Sequence, residues 1–134
     1  MARMEHSAAR HQLLSSPRAP RAVGPYAPAV KLSHVIYCSG QVGVDPETGQ
    51  LVAGLEAQVR RIFANLEALL GEAGSSLEQV VRTTVYLTDM DDLPAFNEVY
   101  AECFAGHTPA RTTVQVSRLP LGATVEIEAT AYVG

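Results

Sequence analysis

Residues 55–70 read LEAQVRRIFANLEALL, and their spacing decides the class of fold. Leu55, Val59, Ile62, Phe63, Leu66, Leu69 and Leu70 recur every three or four residues, so they share one face of an α-helix. Glu56, Arg60, Arg61 and Glu67 fall on the other face. A single wide apolar stripe means that one side packs on another layer while the other meets water. Gly71 or Gly74 supplies the stop.

The period changes on both sides of this helix. Upstream, Ala27–Leu32 and Val35–Gly40 are rich in Val, Ile and Tyr and read as two strands, with a tight turn at Ser33-His34. Asp45-Pro46-Glu47-Thr48-Gly49 is turn chemistry, the proline presetting φ and the glycine ending the turn. Downstream, Val80–Leu87 is largely β-branched and reads as a strand. Asp89–Asp92 then offers capping carboxylates to a second helix opened by Leu93-Pro94. Along it Leu93, Phe96, Val99, Tyr100 and Phe104 recur at helical spacing, and Gly106 closes it. Thr112–Val116 and Thr124–Val133 alternate polar and apolar residues as strands do, with Leu119-Pro120-Leu121-Gly122 turning between them. The order β-β-α-β-α-β-β predicts an α+β fold, a mixed sheet with two helices packed on one face. Two helices leave the other face bare. That face is expected to be apolar, through Val114, Val116, Val125 and Ile127, and to be buried against further subunits.

Composition bounds the rest. With 134 residues, 47% hydrophobic and 18% charged, the chain has material for one domain with a real core. Ser15-Ser16-Pro17-Arg18-Ala19-Pro20 is a loop composition. Residues 1–16 are therefore expected to be a disordered tail, and residues 17–134 a single domain. The formal charge is −4, but residues 24–134 hold 6 basic against 13 acidic side chains. A body that acidic repels phosphate backbones, so no nucleic-acid partner is expected. No stretch approaches the roughly 18 apolar residues that cross a membrane. Cys38 and Cys103 form no disulfide framework and the start of the chain has no apolar signal core, so a cytoplasmic setting is expected. The nucleotide loops, H-E-x-x-H and C-x-x-C are missing, and the four histidines lack ligand spacing, so no cofactor and no metal is expected.

The residues left to carry chemistry are Arg111, at the start of a strand, and Glu126 and Glu128, alternating on another. A guanidinium grips a carboxylate with two parallel hydrogen bonds. A carboxyl group lining a cleft has its pKa raised by desolvation towards values useful for acid–base work. Taken alone, Arg111 also suits a structural ion pair, and the two glutamates also suit a solvated strand face.

A longer pattern joins these residues. Pro109-Ala110-Arg111-Thr112-Thr113-Val114-Gln115-Val116, Leu119-Pro120 and Val125-Glu126-Ile127-Glu128 closely resemble the C-terminal signature of the RidA/YjgF family. Gly24-Pro25-Tyr26, Tyr37-Cys38-Ser39-Gly40-Gln41, Asp45–Gly49, Val81–Leu87 and Phe96-Asn97-Glu98-Val99-Tyr100 agree in the same order. The resemblance implies a chorismate-mutase-like fold assembled as a barrel-like homotrimer. It also implies hydrolytic deamination of reactive enamine and imine acids, such as 2-aminoacrylate, 2-iminopropanoate and 2-iminobutanoate, to 2-keto acids and ammonia, without cofactor. Arg111 matches the arginine that binds the substrate carboxylate and Glu126 the glutamate that activates water. Tyr26, Ser39, Gly40, Asn97 and Thr113 match positions around the site. Ala27-Pro28 stands where many active members have Ser-Gln, and Thr113 where many have Cys, a departure that points to altered substrate preference. The alternative is a trimer of the same family that binds a small carboxylate metabolite without turnover. RNA cleavage, attributed to some relatives, sits poorly with the acidic body.

Overall fold

The computed structural model describes residues 10–134. Among these residues six strands form one sheet and two α-helices cover one face of it. The strands are β1 (Gln12–Leu14), β2 (Ala29–Leu32), β3 (Val35–Gln41), β4 (Val80–Leu87), β5 (Ala110–Gln115) and β6 (Val125–Tyr132). The helices are α1 (Leu55–Glu72) and α2 (Leu93–Phe104). The sheet order is β1-β2-β3-β6-β4-β5, antiparallel except where β4 runs parallel to β5. That parallel pair needs a long crossover, and α2 supplies it.

The period read from the sequence is the period that packs. Val59, Ile62, Phe63, Leu66, Leu69 and Leu70 of α1 are buried, as are Phe96, Val99, Tyr100 and Phe104 of α2. They meet Ile36, Val85, Leu87, Val125, Ile127, Ala129 and Ala131 from the sheet in one core. Gly43 lets α1 approach, because a Cβ there would lie 2.7 Å from the Gln58 Cα. Pro94 sits in the first turn of α2, where its missing N–H costs nothing. At the far end Ala105 adopts the left-handed conformation and caps the helix ahead of Gly106. The turn after β3 forms as its residues demand, with Gly49 N–H donating to the Asp45 carbonyl at 2.8 Å.

Two expectations need correction. The expected disordered tail ran to residue 16. Residues 1–9 of it lie outside the described residues, but Gln12–Leu14 is strand β1, paired antiparallel to β2, with Leu14 and Ser16 buried. Ordering comes from backbone pairing with β2 and from the apolar seat of Leu14. The second concerns the uncovered sheet face. Val125 and Ile127 do not lie on it; both are fully buried beneath the helices. Strict alternation along β6 requires this, because Glu126 and Glu128 take the positions between them. Val114 does lie exposed on the uncovered face, as expected, and Leu13, Leu32, Tyr37 and Tyr132 are exposed there with it.

Candidate active site

Strand β3 carries an irregularity that builds half of the site. Cys38 pairs with Ala129 and Gln41 with Ile127, so β3 spends one residue more than β6 between these two pairs. Such a bulge turns neighbouring side chains to one face. Cys38 and Gln41 point into the core, and Ser39 and Gly40 are left on the open face. There Gly40 abuts Glu126. A Cβ on Gly40 would collide with Glu126 Oε2 and lie 2.8 Å from Cδ, so only glycine leaves room for the carboxyl group. Ser39 fastens the preceding loop, its Oγ donating to the Ala27 carbonyl at 2.7 Å and its N–H to the Pro28 carbonyl at 2.9 Å. That loop carries Tyr26, exposed at the edge.

Glu126 is half-buried, and its carboxyl pKa is raised, chiefly by burial and then by the charge of Glu128. Glu128 shares the face and accepts a 2.6 Å hydrogen bond from the Tyr86 hydroxyl. The open face therefore presents one tied carboxylate and one whose proton is held more firmly than usual.

Arg111 lies elsewhere. It pairs with Thr83 across β5 and β4, and Thr83 is buried on the helix side, so Arg111 belongs to that side too. Its guanidinium carbon sits 4.9 Å from the ring centre of Tyr100 and 5.6 Å from that of Phe96, both on α2. The Tyr100 hydroxyl shares a 2.7 Å hydrogen bond with Thr83 Oγ1, which fixes the ring. The aromatic rings take up the face of the guanidinium and leave its edge of N–H donors open. Among the described residues no ion pair engages it. Thr113 follows two residues on, on the same side. Asn97 is exposed on α2, next to Phe96 in the chain.

Within the chain these groups form two separate sets. Glu126, Gly40 and Ser39 come together on the open face, whereas Arg111 and Thr113 stand on the helix side of the same sheet. Two shallow hollows, of about 490 and 330 Å³, are lined by neither set. The cysteines take no part either. Burial pushes the Cys38 thiol up to about 12 and raises that of Cys103, so both stay protonated.

Comparison with known proteins agrees with the signature. A family model described as Endoribonuclease L-PSP matches residues 16–133. The chain belongs to the L-PSP (RutC/RidA) family. A RutC family protein of Pyrococcus abyssi is 45% identical over 122 residues, 90% of this chain and 96% of that protein. The Mus musculus protein named 2-iminobutanoate/2-iminopropanoate deaminase is 46% identical over 124 residues, 92% of each chain. The crystal structure of E. coli TdcF with bound serine matches with a TM-score of 0.88 at 38% identity, covering 92% of this chain and 99% of that one.

For this RidA-family chain the sequence reading missed three residues around the site. Phe96 and Tyr100 entered as core positions of α2 and as part of a matching block, with no role beside Arg111, yet they carry its guanidinium. Tyr86 was read as one more strand former, although the alternation of β4 already set it on the face opposite Val85.

Proposed function

We propose that the chain hydrolyses reactive 2-imino and 2-enamino acids to 2-keto acids and ammonia, at a site shared between two protomers of a homotrimer. The observation that carries this reading is Glu126: a half-buried carboxyl with a raised pKa, set against the bare backbone of Gly40. Such a group exchanges protons near the working pH better than a solvated glutamate does. In the proposed reaction the open edge of the Arg111 guanidinium holds the substrate carboxylate. Glu126 takes a proton from water as the oxygen attacks the imine carbon. Glu126 returns that proton to the nitrogen of the resulting carbinolamine, which collapses to the ketone as ammonia leaves and the hydroxyl proton passes back to the Glu126 carboxylate. An iminium carbon is already electrophilic, so orientation and one base supply most of what the step needs. The carboxylate and the imine carbon are adjacent atoms of the substrate. Arg111 and Glu126 of one chain are separated by the sheet, so the reading requires Arg111 from one copy and Glu126 from another. The name of the mouse relative supports the same chemistry. The acidic body argues against cleavage of RNA, despite the family's description.

A binding protein without turnover is the second reading, favoured by the serine held in the TdcF structure. Both readings need Arg111; only the enzyme needs Glu126. Iminopropanoate and iminobutanoate generated in situ, with semicarbazide trapping set against keto-acid release, give the assay. Glu126→Gln is expected to lower turnover by about 10²–10⁴-fold, the range for a lost general base, while a keto acid still binds. Full activity in this variant would sink the mechanism.

A further inference from the structure

We propose that Tyr86 is a positioning residue for Glu126: its hydroxyl pins the Glu128 carboxylate beside Glu126, and that fixed negative charge adds to burial in determining the pH at which Glu126 takes up a proton. The inference rests on the reading of Glu126 as the base and names what regulates it. In the ladder between β4 and β6, Tyr86 stands directly opposite Glu126, and Thr84 opposite Glu128. The Tyr86 hydroxyl nevertheless reaches the diagonal neighbour and donates to Glu128 Oε1 at 2.6 Å. Diagonal pairs lie within range of an aromatic side chain, and a bond this short is typical of a hydroxyl on an ionised carboxylate. The tyrosine keeps its proton throughout, its pKa pushed up to about 12, first by the bond to Glu128, then by burial and by the two carboxylates. Glu128 is thereby the acceptor, its carboxyl group fixed two residues from Glu126 on the same face.

Within the chain the other neighbours do not offset this charge; the cation that the proposed shared site adds, Arg111 of a second copy, is taken up by the substrate carboxylate. From β3 Glu126 meets Gly40, and Ser39 beside it is uncharged with its hydroxyl already used on Ala27. From β4, beyond Tyr86, Thr84 is neutral. Arg82 lies on the same side but gives its Nη2 to Thr112 Oγ1 at 2.9 Å, and it forms no ion pair among the described residues. Two carboxylates with different surroundings thus take different protonation roles.

Carbon-detected NMR titration of the Glu126 carboxyl tests the proposal without relying on turnover, alongside the pH profile of kcat/KM. Glu128→Gln removes the charge but keeps an acceptor for Tyr86, so the Glu126 midpoint should move to lower pH. Tyr86→Phe frees the carboxylate to turn into water, and should move the midpoint the same way by less. The double variant should move it no further than Glu128→Gln alone, because Tyr86 acts through Glu128. Both side chains are partly exposed, and the backbone spectrum reports whether each variant folds. A midpoint indifferent to Glu128→Gln overturns the proposal, as does a Tyr86→Phe effect that persists undiminished when Glu128 is already Gln. The acid limb of the rate profile should follow the midpoint. A midpoint that moves while the limb stays put supports the pinning and instead defeats the reading of Glu126 as the base.

Discussion

A methyl group added at Gly40 would meet the end of a flexible side chain, the Glu126 carboxyl, whereas one added at Gly43 would meet the backbone of α1. The two substitutions should therefore fail in different ways. Gly40→Ala is expected to displace the carboxyl and cut deaminase turnover at least tenfold, with a melting temperature near that of the parent. Gly43→Ala forces helix and sheet apart, which costs about 1–3 kcal/mol, and thermal unfolding should show it. Glu126 also links the site to stability. Its folded-state pKa is raised, by burial first and Glu128 second, so the folded chain prefers the carboxyl protonated. Ionised Glu126 weighs against folding at neutral pH, and that penalty fades as pH falls through its folded-state pKa. Glu126→Gln should accordingly raise the melting temperature near neutrality and bring no gain in acid. A gain that grew with acidity would contradict the assigned direction.

Strand β1 shows at the next scale what pairing adds to pattern. Leu14 faces Ala29 across the β1–β2 ladder and is buried with it in the core. Leu14→Ala should lower stability by about 2 kcal/mol, the low end for a buried leucine because the site lies at a sheet edge. Denaturant unfolding would detect this, and no loss would mean that β1 contributes nothing to the fold. The sequence could not show β1, since three residues in an arginine- and serine-rich stretch are too few to display alternation. Helix α1 was legible because its stripe repeats over about four turns, and β4 because its residues are largely β-branched. Of the candidate site, an arginine at a strand start and the alternating glutamates were legible as residue types, whereas Ser39 and Gly40 entered only through the family resemblance. The bulge at Ser39-Gly40 was not, because one surplus residue is defined only against the partner strand. Nor was the bond from Tyr86 to Glu128, which spans 42 positions of sequence and depends on the register of two strands.

At the scale of the whole molecule, the decisive fact is that Arg111 and Glu126 stand on opposite sides of one sheet. If the site joins two copies, an Arg111→Ala chain and a Glu126→Gln chain are each inactive alone. Coexpressed, they should regain a fraction of wild-type activity, since some interfaces then unite an intact arginine with an intact glutamate. Persistent inactivity in verified mixed oligomers would refute the shared site. The exposed Leu13, Leu32, Tyr37 and Tyr132 give such copies an apolar surface to close on, and light scattering should return a trimer mass. Mass action adds a dimension that no single chain possesses. A catalyst divided between neighbours has a specific activity that depends on its own abundance. Diluted below the point where copies part, it should fall silent without unfolding, and it should recover when concentrated, after a lag set by reassembly. Expression level would then work as a threshold rather than a dial.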